Sequence, residues 1–465
     1  MHFTSPLFYV ALLPAVSVFY WLGGRWRAIY LLALSYGFYA LSSRIYLVLL
    51  VAASAAVYAL GLAIARSADE RAKQAYMAVG VAAVVAMIVA FKAADAWRGF
   101  LLPLGVSYYS FKLISYLIEV YWDDGAVERD PVLVFLFPAF FPQIICGPIQ
   151  RPAPFFAQMR DVVGRKLDAA QVETGFRLIL GGLMLKLLVG DRLAAFIQLI
   201  DKSHADYSWS VMVATVACYL VQLYADFAGY TNIALGVGRL FGVEGPPNFD
   251  APFAAVNIQE MWRRWHMSLT SWVTDYLFTP LSMSMRGLGQ TGLVLCIMLN
   301  MVIIGLWHGL TANFLAFGLM HGVFVSVTAL IVMRLRRRRA GAKPGSGRYW
   351  PAALAGMVLT FALMSFSQIF WHSPTWAQAT SILAQVAGVA PSGSTGWSDM
   401  PLALTVPMWI CMGIALYVGA GAPGARKLAL AAGEFTPNWL QYGVCLFLLF
   451  VLATNGSGQF VYGQF

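Results

Sequence analysis

The chain has 465 residues, 60% hydrophobic and only 11% charged, with a mean hydropathy of +0.69. A soluble domain is about half apolar and roughly a quarter charged and has no way to hide this much apolar surface, so a soluble fold is excluded. The net charge of +10 raises the question of a nucleic-acid partner. The basic residues sit in loops flanking apolar stretches, where membrane topology and anionic headgroups account for them, so no nucleic acid is expected.

About 20 apolar residues carry a helix across the bilayer core. Stretches of that character occupy residues 6–21, 30–41, 46–65, 76–91, 132–146, 175–189, 211–224, 292–306, 314–333, 350–370, 402–420 and 439–453. Some are short for a full span and read as tilted, paired or re-entrant, which puts the crossings at about eleven. The expected fold is therefore all-α: a polytopic integral membrane protein, one membrane-embedded domain over residues 1–465, with re-entrant or interfacial helices beside the crossings. The polar inserts 160–173 and 373–400 are too short to fold alone, and no internal repeat is visible. The first stretch does not read as a cleaved signal peptide, because no basic residue precedes it and no small-residue cleavage region follows. Cys146, Cys218, Cys296, Cys411 and Cys445 are odd in number and far apart, which offers neither a disulfide framework nor a CxxC metal site. They read as small core residues.

Lys and Arg mark cytoplasmic loops. The strongest cluster is Arg334 and Arg336 to Arg339, with Lys343 and Arg348 close by; Arg66, Arg71 and Lys73 mark a second loop, Arg25 and Arg27 a third, Arg426 and Lys427 a fourth. The 373–400 segment holds no Lys or Arg and belongs outside.

Ionisable residues at membrane depth are costly and are functional candidates by default. Of the six histidines, His2 and His204 lie at a terminus and in a polar loop, and His372 ends a helix at the outer interface. His308 follows an apolar run in Ile-Gly-Leu-Trp-His-Gly. Gly305 and Gly309 thin the helix there, so that a substrate or another backbone can approach. Counting back from the basic loop places His308 in the turn before the 314–333 helix, toward the outer half of the membrane, with His321 about two turns into that helix. A buried histidine that simply bonds a neighbouring helix is the alternative for each. His266 lies in a segment where Trp262, Trp265, Leu269 and Trp272 recur on one helical face, with Arg263, Arg264 and Asp275 elsewhere on it. This reads as an amphipathic interfacial or re-entrant helix. Asp226, within Gln222-Leu-Tyr-Ala-Asp-Phe-Ala-Gly-Tyr, needs a partner or water; helix–helix bonding and catalysis both satisfy it.

Five blocks resemble the membrane-bound O-acyltransferase family, and within it the bacterial branch typified by alginate O-acetylation proteins. They are Pro103-Leu-Gly-Val-Ser-Tyr-Tyr-Ser-Phe-Lys, with Glu119 where the family often has Asp; Phe141-Pro-Gln-Ile-Ile-Cys-Gly-Pro-Ile-Gln-Arg151; Tyr224-Ala-Asp-Phe-Ala-Gly-Tyr leading to Asn248-Phe-Asp-Ala-Pro252; Trp262-Arg-Arg-Trp-His-Met-Ser-Leu with Asp275-Tyr and Pro280-Leu; and Gly305-Leu-Trp-His-Gly309 followed by Gly318-Leu-Met-His-Gly322. Departures are Asn232 for a usual Asp, Asn313 for a frequent Trp, Ser-Met for a Gly-Gly pair after Leu281, and His372 for a common Arg. They touch the acceptor or partner side rather than the reaction type.

The resemblance implies that His308 is the characteristic family histidine and His266 the second. It further implies a cytoplasmic acyl thioester, a central tunnel through the membrane, and delivery of the acyl group to a periplasmic or membrane-anchored acyltransferase partner that modifies a polysaccharide acceptor. A neutral imidazole can take the proton of a hydroxyl attacking a thioester, and an apolar site keeps water from that thioester. His308 is thus expected as general base and His266 at the donor end. Arg263 and Arg264 are expected on the donor's phosphates, and Trp307, Asp226, Asn313 and His321 in the substrate surround. No cofactor is expected to bind tightly; acetyl-CoA is the expected donor, in a multi-pass protein of the bacterial inner membrane. D-alanyl transfer to teichoic acid from a carrier protein, and a transporter that moves a lipid-linked or acyl substrate without reacting with it, are the rival readings.

Overall fold

In hydrocarbon an unpaired peptide group costs several kcal/mol, which confines a chain this apolar to helices. The computed structural model describes residues 3–98, 102–162, 164–339, 350–421 and 438–453. His2, Lys343, Arg348, Arg426 and Lys427 lie outside the described residues. Among the described residues the regular elements are all helical, and extended pairing is limited to two isolated bridges, Tyr207 with Thr395 and Phe249 with Trp265. Among the described residues seven helices are long and apolar enough to cross a membrane, and three shorter apolar ones accompany them. The protein is thus a polytopic membrane protein.

The chain forms two compact units, one of residues up to Leu183 together with Tyr230–Pro247, the other of Met184–Gly229 and the chain from Asn248 on. The first unit opens with α1 (Pro6–Trp21), α2 (Trp26–Ala40), α3 (Arg44–Arg66) and α4 (Glu70–Arg98). Gly105 then turns the chain in the left-handed region (φ 68°), where a Cβ would lie 1.9 Å from the Ile144 carbonyl oxygen; only glycine fits. It leads into α5 (Val106–Trp122), which the apolar count missed because serines, tyrosines and Lys112 dilute it. Every residue from Val106 to Leu117 is buried in protein instead of lipid.

The stretch read as one helix over 132–146 is two, α6 (Pro131–Ala139) and α7 (Phe141–Ile144). Pro142 lacks the N–H that a continuing helix would need, so it starts a new one. Two further helices complete this part, α8 (Pro152–Val162) and α9 (Ala169–Leu183).

The basic residues of the first unit do more than mark topology. Arg27 is buried, donating to the carbonyls of Leu22 (2.9 Å), Val162 (2.7 Å) and Arg165 (2.5 Å), and so satisfies the end of α8. Arg25 pairs with Asp130 (3.2 Å) and Lys73 with Asp124 (2.6 Å), so the segment after α5 ties both basic loops to one end of the unit.

In the second unit the stretch 175–189 ends not as an α-helix but as a π-wound segment, Met184–Gly190, which leads into α10 (Asp191–Lys202). Next comes α11 (Trp209–Leu240), whose residues up to Gly229 belong to this unit and the rest to the first. Within the protein 83% of its most apolar window is buried, against 22–39% for the other six spans. It is therefore an interior helix, while the others face lipid. The chain continues through α12 (Ile258–Arg264), α13 (Met267–Val273), α14 (Thr279–Ser284), α15 (Gly289–His308), α16 (Ala312–Arg339) and α17 (Trp350–His372). The 373–400 segment carries a helix of its own, α18 (Trp376–Val386), before α19 (Leu402–Gly419) and α20 (Asn438–Leu452).

Small residues let α15 and α16 approach closely. A Cβ on Gly305 would meet the Phe314 carbonyl oxygen at 2.4 Å, and one on Gly318 the Met301 carbonyl oxygen at 2.7 Å. The glycine before His308 therefore serves backbone approach rather than substrate approach. Gly305→Ala should lower the stability of the detergent-solubilised protein by about 1–3 kcal/mol, the range for overpacking, seen as a reduced Tm. Gly181→Ala, at a position with open space around it, should leave the Tm unchanged; equal Tm values for both variants would contradict the packing argument.

Candidate active site

His308 is the last residue of α15 and 3% exposed. Its ring lies among aromatic rings: Trp371 with centroids 4.2 Å apart, Trp307 at 4.4 Å, Phe314 at 6.2 Å and Phe317 at 6.4 Å. Three elements build this box, with α15 giving Trp307, α16 the two phenylalanines and α17 Trp371.

His266 does not lie on one continuous amphipathic helix, as its periodicity suggested. The helix breaks there, between α12 and α13, with His266 in the left-handed region (φ 45°, ψ 51°). A non-glycine residue held so costs about 1–2 kcal/mol, and persists only where the surroundings over-determine it. Here the Asn248–Asp250 segment does so. The Asp250 N–H donates to the Arg264 carbonyl (3.1 Å), the Met267 N–H donates to the Asn248 carbonyl (2.9 Å), and the Ser268 hydroxyl donates to Asn248 Oδ1 (2.6 Å). Trp262, Trp265, Leu269 and Trp272 are all buried, so the face expected on one amphipathic helix is packed inside the protein and divided between two short helices and the break between them. His266 itself is 1% exposed. Its ring meets Phe227 edge-on at 4.7 Å and lies 6.3 Å from Trp307. One indole, Trp307, thus has both site histidines beside it.

The remaining expected site residues separate. His321 is bonded on both ring nitrogens: Trp262 Nε1–H donates to Nδ1 (3.3 Å), so the proton sits on Nε2, facing the Ser367 hydroxyl at 2.9 Å. That hydroxyl in turn donates to the Met364 carbonyl (2.7 Å). This is a fully satisfied interhelical strut. Asn313 donates to the Ser373 carbonyl (2.8 Å), fastening the end of α17. Arg264 is engaged by Glu260 (3.0 Å) and the Asp250 carbonyl (3.1 Å), whereas Arg263 is exposed.

Asp226 is fully buried and pairs with Lys186, which also bonds Asp191 at 2.6 Å. The π-wound segment presents this lysine between two carboxylates. Lys186 and Asp191 escaped the sequence reading, although a lysine inside the apolar run 175–189 was a visible signal. Trp371 escaped as well. Nothing in its local pattern sets it apart from the other tryptophans, and only the folded α17 brings it to His308.

The sequence profile of the membrane-bound O-acyltransferase (MBOAT) family matches residues 130–366. A protein of Pseudomonas fluorescens named probable alginate O-acetylase AlgI is 32% identical over 345 residues, covering 71% of this chain and 67% of that protein. Its Pseudomonas aeruginosa counterpart is 31% identical over 70% of this chain and 66% of that protein. The chain thus spans about two thirds of the length of these relatives. The peptidoglycan O-acetyltransferase of Helicobacter pylori is 27% identical over 83% of this chain and 80% of its own length. The profile match, over a membrane-embedded helical chain, sets the class, that of membrane acyltransferases. The chain belongs to the membrane-bound O-acyltransferase family.

The buried triad gives a direct test. Lys186→Met leaves two carboxylates facing each other without their cation, which should cost about 3–5 kcal/mol and sharply reduce the yield of folded protein. Adding Asp226→Asn should restore part of that yield, and no restoration would mean that Lys186 acts in some way other than as counter-ion.

Proposed function

We infer that this protein is a membrane O-acyltransferase that takes an acetyl group from cytoplasmic acetyl-CoA, in the bacterial inner membrane, and passes it toward an extracytoplasmic polysaccharide, with His308 as general base. The observation that carries this reading is the burial of two histidines beside one indole, Trp307, one of them ending a crossing helix. In the reaction the acceptor hydroxyl gives its proton to the His308 imidazole while its oxygen bonds to the thioester carbonyl carbon. The carbon–sulfur bond breaks, and the thiolate that leaves takes the proton back from His308, so that thioester and alcohol become ester and thiol.

His266, locked at a backbone break, orients the donor end. Arg263, exposed at the end of α12, meets the donor's phosphates. Arg264 adds charge beside it while held by Glu260. His321 and Asn313 act behind the reacting groups, as the two engaged ring nitrogens of His321 and the bond from Asn313 Nδ2 to the Ser373 carbonyl support. The protein partner in this reading is a periplasmic or membrane-anchored acyltransferase.

Acetyl is favoured over D-alanyl by the reach of the relatives. The alginate and peptidoglycan acetylating proteins align over 70–83% of this chain, whereas the teichoic acid D-alanyltransferases of Streptococcus thermophilus and Bacillus subtilis align over 57% and 48%.

The decisive experiment is acyl transfer from radiolabelled acetyl-CoA in membranes carrying wild type, His308→Ala or His321→Asn at matched expression. Wild type should label glycan or partner protein. His308→Ala should lose at least about 100-fold, the contribution of a general base, and His321→Asn should keep activity in proportion to its folded amount. Equal labelling by His308→Ala would remove this histidine from the chemistry, and no labelling by wild type would point to a carrier-protein donor or to transport.

A further inference from the structure

The reading of His308 as a base requires its ring to carry a positive charge for as long as it holds the acceptor's proton, inside a protein interior that penalises charge. Something must stabilise the imidazolium more than the neutral ring, since only such a difference accelerates the step. The nearest ring to His308 is Trp371, 4.2 Å between centroids with the planes at 70°, followed by Trp307 at 4.4 Å and 60°. Both distances fall inside the roughly 6 Å reach of a cation–π interaction, and indole is the strongest of the aromatic partners.

The geometry points to Trp371 as the electrostatic partner of His308, with its indole ring stabilising the imidazolium formed during acyl transfer. A neutral imidazole gains little from the indole quadrupole and a protonated one gains a great deal, so the contact is selective for the charged state.

Such a partner is useful only if it is already in place, because a ring that must be recruited offers no preorganised field. The outer end of α17 is fastened for this. His372, next after Trp371, donates from Nε2 to the Tyr219 carbonyl (3.3 Å) and stacks on the Tyr219 ring at 4.5 Å and 18°. The Tyr219 hydroxyl donates to Asp201 at 2.5 Å. One residue further, the Ser373 carbonyl accepts from Asn313. Phe314 and Phe317 pack against the Trp371 ring at 5.4 and 5.5 Å. Trp371 is thus set by contacts on α11, α16 and α17, and its position does not depend on a bound donor.

This inference rests on the reading of His308 as the base, and the test separates the two. In the full-length chain in membranes, Trp371 is replaced site-specifically by tryptophans carrying one, two and three ring fluorines, which keep the shape and progressively weaken the π face. Transfer from radiolabelled acetyl-CoA is then measured at saturating and limiting donor, alongside His308→Ala. The logarithm of the saturating rate should fall stepwise with fluorine number, to about 30-fold at three fluorines, while the KM for acetyl-CoA stays constant. A flat series with His308→Ala inactive would overturn the role of Trp371 and leave the base in place. A KM that rises while the saturating rate holds would overturn it too, making Trp371 a wall of the donor site. Full activity in His308→Ala would overturn both.

Discussion

A helix that stops or changes its winding inside a bilayer leaves amides and carbonyls that lipid cannot satisfy. That constraint governs where this protein can place anything polar. At Trp265–His266 the broken backbone is received by Asn248 and Asp250. The widening at Met184–Gly190 accompanies a lysine held between two carboxylates. At Pro138–Pro142 a proline-bounded break separates α6 from α7, and Arg27 receives the carbonyls that end α8. Two of the three breaks present an ionisable side chain to the interior, His266 and Lys186.

The site follows from this arrangement. His266 is held by strain that its clamp sustains, and His308 by the end of α15, whose approach to α16 depends on Gly305 and Gly318. Neither histidine rests on a flexible loop. The rings of Trp307, Phe314, Phe317 and Trp371 enclose His308. Both histidines have Trp307 as a neighbour.

Several residues that looked alike in the sequence prove unlike in the fold. His308 and His321 lie in similar Gly-x-x-His-Gly settings, yet His321 has both nitrogens engaged by Trp262 and Ser367, while His308 is enclosed by aromatic rings. Arg263 and Arg264 are adjacent, but only Arg264 is tied to Glu260. Arg27 looked like a topological charge and is instead a buried helix cap. In each case the difference is what stands opposite the side chain, which no local spacing encodes.

The membrane class, the helical content and the helices α1, α3, α15, α16 and α19 were legible because hydropathy is a sum over neighbours in the chain. The solvent that matches it is set by composition alone. The break at His266, the helical nature of α5, the Lys186 triad and the meeting of Trp371 with His308 were not legible. They depend on pairings between residues distant in sequence: Asn248 with Ser268, Asp226 with Lys186, α17 with α15. Composition decided that this chain enters a bilayer; only the folded arrangement decided which of its polar groups meet there, because each such group is stable at depth only in the company of a specific partner.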